Sequence, residues 1–257
     1  MRSLHRALLL LVGIQLASVA IAEEPGDERC FELRIYTAAE GKLDALHARF
    51  RDHTMKLFEK HGMTNIGYFT PLDESEQKLF YVLAYPNRES RKKSWSSFIL
   101  DQDWLTVMRS SEQNGKLLTK IESTFLHPTD YSPQLKSPAD NGPRVFELRT
   151  YTCTSGNLPR LHQRFRDHTI NLFAKHGMTN LVYWTLDADQ PAANDTLVYL
   201  LAHQSKSARD ANFEAFRQDS TWITAKGASE KAAGGSLTTP DGVKSVLLKP
   251  TDYSPLK

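Results

Sequence analysis

The chain of 257 residues carries 32 basic and 30 acidic residues, a formal net charge of +2. A chain so close to neutral lacks the strongly basic surface that a nucleic-acid backbone or an anionic membrane would attract, and we predict neither partner. Its length suits one large domain or two of ordinary size, long enough to bury a substantial core.

Residues 1–22 are typical of a cleavable secretory signal. Arg2 and Arg6 precede an apolar run over residues 7–21, and Ala20 and Ala22 form an A-x-A cleavage site. The run is short for a membrane anchor. We therefore expect cleavage after Ala22, a periplasmic or secreted mature protein, and no stable membrane insertion after cleavage.

The first element predicted beyond the signal is a strand over residues 31–37. Its apolar side chains alternate with polar or aromatic ones, which is typical of a strand. One face carries Phe31, Leu33 and Ile35, and the other carries Glu32, Arg34 and Tyr36.

A helix is predicted next, over residues 41–61. Its apolar positions recur every three or four residues and form one stripe: Leu43, Leu46, Phe50, His53 and Leu57. Gly62 follows directly and can adopt the positive φ that ends many helices.

The remaining elements complete one module. Residues 64–70 and 78–85 predict a hairpin, residues 88–102 and 104–114 predict helices, and residues 117–126 predict a last strand. The order β-α-β-β-α-β is the ferredoxin-like arrangement, an α+β fold in which helices cover one face of a four-stranded antiparallel sheet.

The whole module occurs twice. From residue 31 to residue 68, 25 of 38 positions are identical to the residue 115 positions later, which rules out chance. Later insertions fall only in predicted turns, so the same fold is expected twice. We predict a first module over residues 30–133, a Pro-rich linker over residues 134–143, and a second module over residues 144–257.

Two such sheets can face each other and close a barrel with a pseudo-twofold axis inside one chain. We expect the protein to be a monomer with this internal symmetry, or a dimer of such monomers. On this model the polar strand faces of the two modules point into the barrel.

The motifs of both copies resemble the NIPSNAP family. They are Phe-Glu-Leu-Arg-x-Tyr-Thr, Arg-Asp-His-Thr, His-Gly-Met-Thr-Asn and a closing Pro-Thr-Asp-Tyr-Ser-Pro. The resemblance implies the dimeric α/β-barrel fold, which cofactor-independent monooxygenases, haem-degrading enzymes and non-catalytic ligand-binding proteins share. It does not imply a reaction. No cofactor is predicted from the residues, and the resemblance leaves haem possible.

The polar strand faces are the strongest candidates for a ligand site, because alternate residues of a strand point the same way. Tyrosines of the predicted hairpins could add hydroxyl groups. The full set is Glu32, Arg34, Tyr36, Tyr68, Glu147, Arg149, Tyr151 and Tyr183. The alternative is structural, with Glu32 pairing with Arg149 and Glu147 with Arg34 across the barrel, because buried charges must be paired.

His53 and His168 are catalytic candidates, together with Tyr36 and Tyr151, because a histidine changes charge near neutral pH. The alternative is a core histidine bonded to a nearby carbonyl or carboxylate. No metal site is predicted, since the repeated histidines do not share one helical face and no acidic or cysteine cluster completes a set of ligands.

Cys30 and Cys153 occupy non-equivalent places in the two copies. An exported setting permits a disulfide between them, and two buried free thiols are the alternative.

Three functions remain open at this point. The leading hypothesis is an exported barrel that binds a small aromatic or amphipathic molecule. The second is a cofactor-independent oxygenase or isomerase-like enzyme. The third is a structural or interaction module whose barrel is filled by its own side chains. Gly-rich phosphate loops, nucleophile elbows and C-x-x-C motifs are missing from the sequence.

Overall fold

The computed structural model of the protein describes residues 29–135 and 144–257. The predicted signal peptide, residues 1–22, lies outside the described residues, and so do residues 136–143 of the predicted linker. In the two described segments, no helix is both long enough and apolar enough to cross a membrane.

The first module has the predicted order of strands and helices, and each helix or strand lies within a few residues of its expected position. The elements are β1 (Cys30–Ala38), α1 (Leu43–Arg49), α2 (Met55–Lys60), β2 (Thr64–Pro71), β3 (Lys78–Tyr85), α3 (Arg88–Ile99), α4 (Gln102–Ser111) and β4 (Leu118–Pro128). A π-helical turn, Phe50–Thr54, joins α1 to α2.

The second module repeats this order. Its elements are β5 (Val145–Cys153), α5 (Leu158–Arg164), α6 (Ile170–Lys175), β6 (Thr179–Leu186), β7 (Thr196–His203), α7 (Lys206–Gln218), α8 (Ser220–Ala233) and β8 (Thr238–Pro250). A second π-helical turn, Phe165–Thr169, joins α5 to α6. In both modules the glycine after the helix, Gly62 or Gly177, has φ near +75°, as predicted.

The eight strands form one closed antiparallel barrel, in the order β1-β3-β2-β8-β5-β7-β6-β4. Two pairings join the modules: β2 with β8, and β4 with β6. Because every pairing is antiparallel, β1 and β5 run in the same direction, so the pseudo-twofold axis lies along the barrel. The predicted pseudo-dimeric α/β barrel is confirmed.

The faces of the sheet are opposite to those predicted. Phe31 and Leu33 of the first module share the barrel interior with Phe146 and Leu148 of the second. Tyr36 instead packs with the helices of its own module. The expectation that the polar faces meet inside the barrel is therefore wrong. The helices outside the barrel supply Arg91 as a cationic partner for Glu32, and burial of a charge requires such a partner.

The π-helical turn corrects a second prediction. The wider turn accommodates one additional residue, and the buried position expected for His53 passes to Thr54, which is 1 % exposed. The Thr54 hydroxyl donates to the carbonyl oxygen of Arg49, 3.0 Å away. His53 points outward, and so does His168 at the same position of the second module.

The closing motif of each module docks onto the other module. Asp252 forms a two-pronged ion pair with Arg51, at 2.7 and 3.0 Å. Ser254 accepts the backbone N–H of Tyr68, 2.9 Å away. The tail of the first module repeats these contacts: Asp130 pairs with Arg166, and Ser132 accepts the N–H of Tyr183. The two modules are thereby tied together outside the barrel as well as through their strands.

Candidate functional site

Glu32 is the centre of a buried polar cluster between the sheet and the helices. Its side chain is fully buried. Arg91 of α3 donates to both carboxylate oxygens, at 2.9 and 3.0 Å. Tyr85 and Ser123 donate hydroxyl hydrogens, at 3.0 and 2.6 Å, and Arg34 forms an ion pair with the same carboxylate. The predicted pairing of Glu32 with Arg149 is therefore wrong, because the arginine partners come from the same module.

This cluster keeps Glu32 ionised. Burial alone would raise the pKa of Glu32, but the hydrogen bond from Arg91, the charge of Arg34 and the hydrogen bond from Ser123 outweigh it and lower the pKa to about 2. Two arginines surround one glutamate, so a positive charge remains on the side that faces the helices.

Arg34 links this cluster to an aromatic surface. Its Nε donates to the hydroxyl of Tyr81, 2.8 Å away, and one terminal nitrogen donates to Tyr36, 3.2 Å away. The guanidinium also lies over the indole of Trp95, 4.3 Å from the ring centre. The guanidinium of Arg34 thus donates to both tyrosine hydroxyl oxygens and holds the two side chains in place.

A cavity of about 260 Å³ lies directly beside Arg34 and Tyr36, and we call it the first-module cleft. Its walls come from β1, β4, the end of α1, the π-helical turn and the helices α2, α3 and α4. They are mostly apolar and aromatic: Arg34, Tyr36, Arg49, Phe50, Thr54, Phe58, Trp95, Phe98, Ile99, Trp104, Met108, Glu112, Leu118 and Ile121. The volume is slightly below the range of about 300–1,000 Å³ usual for ligand pockets, which limits an occupant to one or two rings.

Arg49 is a residue of this cleft that the sequence patterns did not single out. It is 5 % exposed. One terminal nitrogen donates to Glu112, 3.1 Å away, whereas its Nε is buried and has no hydrogen-bond partner among the described residues. A buried donor normally has a partner, so this nitrogen retains an unused hydrogen bond. It is the last residue of α1, directly before the π-helical turn.

The second module builds the same polar cluster with one exchange. Glu147 binds Arg149, Arg209 and Ser245, and these contacts and His203 hold the pKa of Glu147 low despite its burial. His203 takes the place of Tyr85 and lies 3.1 Å from Glu147. The other ring nitrogen of His203 is buried without a partner in the described part of the chain.

The counterpart of the cleft in the second module has more polar residues. The duplication places a different side chain at five equivalent positions: Phe213 for Trp95, Arg217 for Ile99, Lys226 for Met108, Thr238 for Leu118 and Val243 for Ile121. Arg164 takes the place of Arg49, and its Nε is likewise buried without a partner among the described residues. The two modules therefore share a scaffold and differ at the mouth of the cleft.

The structure brings only some of the predicted residues to this site. Arg34 and Tyr36 line the cleft, and Glu32 lies beneath it. Tyr68 does not reach the cleft: it is fully buried, stacks on Tyr81 at 5.4 Å and donates its hydroxyl to Asn65. Tyr183 makes the same contacts with Tyr199 and Asn180. Both are core residues.

The repeated histidines do not line the first-module cleft. His53 lies beside an outer groove between α1 and α4, away from the cleft, and His168 is exposed in the equivalent place. His61 lies 2.7 Å from Asp101, which caps α4, and His176 lies 2.9 Å from Asp219. Within residues 29–135 and 144–257, no three His, Cys, Asp or Glu side chains are arranged to hold a metal ion.

Two further expectations concern thiols and haem. Cys30 and Cys153 are free and buried, and burial raises the pKa of each thiol to about 11, so neither is a thiolate at neutral pH.

The walls of the first-module cleft contain no histidine or cysteine. The commonest axial ligands of haem iron are therefore missing there, and we assign no haem to the cleft.

Three of the solved structures that are similar to this chain match most of its length. A candidate monooxygenase from Fusobacterium nucleatum is 10 % identical, with a TM-score of 0.57, and the match covers 90 % of this chain and 98 % of that one. A candidate monooxygenase from Lactobacillus acidophilus is 12 % identical, with a TM-score of 0.53 and coverage of 90 % and 100 %. An anthrone oxidase-like protein is 12 % identical, with a TM-score of 0.58 and coverage of 89 % and 94 %. At these identities the likeness shows the fold alone.

Among curated proteins, none matches this sequence. The model of one protein family does, and it matches two tandem segments, residues 31–133 and 146–255, which together make up most of the chain. These segments coincide with the two modules of the barrel. The resemblance carried by the repeated motifs is confirmed, and the protein belongs to the NIPSNAP family.

Proposed function

We propose that the protein binds a small planar aromatic molecule with an acidic oxygen in the first-module cleft. The observation that carries the proposal is Arg49, a buried guanidinium in the wall of an aromatic cavity, whose Nε has no partner among the residues that the structure describes. A phenolate, enolate or carboxylate oxygen would supply the missing acceptor.

The aromatic walls favour a flat ligand. Trp95, Phe58 and Phe98 pack with ring centres 5.0 to 5.6 Å apart, mostly tilted or edge-on. Trp104 continues this surface, 4.6 Å from Phe98. A ring bound between these side chains could make the offset-stacked or edge-to-face contacts that aromatic pairs prefer. A volume of about 260 Å³ favours one or two rings.

Native mass spectrometry of gently purified protein is the first test. We expect a bound aromatic acid or phenol, released on denaturation. Tyr36→Phe should weaken its binding by about fivefold, because one neutral hydrogen bond is worth about 1 kcal/mol. Tyr151→Phe is the matched control in the second module and should have no effect. Equal losses in the two variants, or no loss in either, would contradict the placement of the ligand.

A cofactor-independent oxygenase is the second candidate function. It is favoured by the hydrogen bond from Arg34 to Tyr36 and by the position of Arg49 in the wall of the same cavity, because cationic groups stabilise the enolate or phenolate that reacts with O₂. The similar structures described as monooxygenases or as anthrone oxidase-like agree with this chemistry in name. Glu112 and Tyr36 are the wall residues able to accept a proton.

Oxygen uptake with an anthrone distinguishes an enzyme from a binding protein. In that reaction the ring CH₂ loses two hydrogens and gains one oxygen atom of O₂, while the other oxygen leaves as water. An oxygenase would consume O₂ in a one-to-one ratio with substrate, and Arg49→Met would slow the reaction. A binding protein would bind the anthrone without consuming O₂.

We further propose that the protein is exported and that residues 1–22 are removed. The basic residues, the short apolar run and the A-x-A site support this proposal. N-terminal sequencing of protein recovered from the periplasm or the medium should begin at Glu23. Recovery of a chain that retains Met1 would contradict it.

A further inference from the structure

A second cavity lies inside the barrel, separate from the first-module cleft. Its volume is about 390 Å³, within the range usual for ligand pockets. Both modules contribute to its walls, and equivalent residues of the two modules face each other across the pseudo-twofold axis. The inner wall is apolar: Leu33, Ile35, Phe80, Leu148, Val198 and Val246.

The opposite end of the barrel is filled. Four large aromatic side chains pack there, where β1 and β5 begin. Phe31 contacts Trp184 with ring centres 5.6 Å apart, and Phe69 contacts Phe146 at 4.9 Å. All four belong to the same buried cluster as the inner wall of the cavity. The cavity therefore has an apolar floor and opens at the end where β1 and β5 finish.

The rim of the cavity is charged. Lys78 forms an ion pair with Glu76 at 2.6 Å, and Glu122 pairs with Lys120 at 2.8 Å. Lys244 lies opposite Glu122 in the pseudo-symmetric position, and it forms no ion pair with a carboxylate in the described part of the chain. Among the described residues, Lys244 is thus the rim cation without an ion pair, whereas both rim carboxylates have one.

We propose that the barrel cavity binds an amphipathic molecule with an aliphatic chain and an anionic head group. The chain lies against the apolar inner wall, and the head group pairs with Lys244 at the rim. An aliphatic chain fits better than a rigid ring system, because most side chains of the inner wall are branched and aliphatic and the cavity ends at the packed aromatic residues. This site does not depend on the proposed aromatic ligand of the first-module cleft.

Calorimetric titration of the full chain with decanoate tests the head group, with decanol as the uncharged probe. We expect one decanoate per chain. Lys244→Gln should weaken decanoate binding by about fivefold, the size expected for an exposed ion pair, and leave decanol binding unchanged. Lys116→Gln, an exposed lysine away from the cavity, is the matched control. Equal effects of the two lysine variants would overturn the role of Lys244.

Filling the cavity tests the location. Leu148→Trp places a large ring in the inner wall and should weaken binding of decanoate and decanol at least tenfold. Thr150 is half-buried and lies nearer the mouth of the cavity, so Thr150→Trp should weaken binding to a similar extent with less disturbance of the core. Bromine-tagged decanoate in crystals of the wild-type protein should appear between the two modules. Bromine in the first-module cleft, or undiminished binding to a folded Thr150→Trp variant, would overturn the proposal.

Discussion

At the scale of single residues, the buried carboxylates Glu32 and Glu147 dominate the polar layer between sheet and helices. Each has no exposed surface and is bound by two arginines and a serine. A buried ion pair adds little net stability, but removing one partner leaves an uncompensated charge at high cost. We therefore expect the glutamates to fix the positions of Arg34 and Arg149.

Glu32→Gln tests this role. The variant leaves Arg34 and Arg91 without their anion in a buried place, and we expect a loss of about 3–5 kcal/mol in the free energy of unfolding. Urea denaturation measures it. Glu122→Gln, which breaks an exposed pair with Lys120, is the control and should cost less than about 1 kcal/mol. Similar costs for both variants would contradict the role of Glu32 as an anchor.

The pKa of Glu32 makes its contribution dependent on pH. Because the folded pKa is about 2 and the ordinary value is 4.5, the unfolded chain takes up the proton first as the pH falls. The stabilisation is complete above pH 4.5 and is lost as the pH approaches 2. The stability difference between wild type and Glu32→Gln should narrow over this range in urea titrations at successive pH values. A difference that stays constant down to pH 2 would refute the assignment.

At the scale of elements, the sequence predicts the order and type of every strand and helix, because the periodicities of 2 and 3.6 are strong and occur twice. It does not predict which strand face meets the helices. Both faces of β1 are buried. The alternation of side chains therefore distinguishes two faces, but it does not show which face packs against the helices and which lines the barrel. Arg91, the cationic partner that draws Glu32 to the helix side of the sheet, lies 59 positions away along the chain.

The π-helical turn is the other feature hidden from periodicity. A regular helix would bury His53, and the additional residue in the turn buries Thr54 instead. The burial of the catalytic candidate His53 could not be judged correctly without this turn. Arg49 was missed for another reason: a charged residue beside the apolar stripe is normally read as exposed. Such turns are frequent at functional sites, which agrees with the position of the cleft.

Thr54→Val tests the π-helical turn. It keeps the volume of the buried side chain and removes the hydrogen bond to the Arg49 carbonyl, so we expect a loss of about 1 kcal/mol in urea unfolding. Thr169→Val should cost the same in the second module, because Thr169 makes the same bond at 3.1 Å. His53→Ala should change stability by less than about 0.5 kcal/mol. A larger cost for His53→Ala than for Thr54→Val would reverse the assignment of the buried position.

At the scale of the whole molecule, the duplication makes a two-module interface within one chain. The strand pairs β2–β8 and β4–β6 close the barrel, and the exchanged tails cover the outside of each junction. The repeated Asp-Tyr-Ser tail could be found from the sequence, but its docking onto the other module could not, because no local pattern reports a contact 186 positions away.

Ser254→Ala tests the tail exchange. It leaves the buried N–H of Tyr68 without its acceptor, and we expect a loss of about 1–2 kcal/mol in the free energy of unfolding. Ser132→Ala should cost the same through Tyr183, whose N–H lies 3.0 Å from the serine oxygen. Ser110→Ala, on the exposed side of α4, is the control and should stay within about 0.5 kcal/mol. A negligible cost for both tail variants would mean that the tails do not hold the modules together.

The most direct measurement is the stoichiometry and affinity of an aromatic acid in wild type, Arg49→Met and Arg164→Met, determined by calorimetric titration. Arg49 lies in the aromatic cleft of the first module, and Arg164 is its counterpart in the more polar second module. We predict one site per chain, a loss of about tenfold or more for Arg49→Met from one charge-assisted hydrogen bond, and unchanged binding for Arg164→Met. Full binding by a folded Arg49→Met variant, or equal losses in both variants, would contradict a ligand site in the first module.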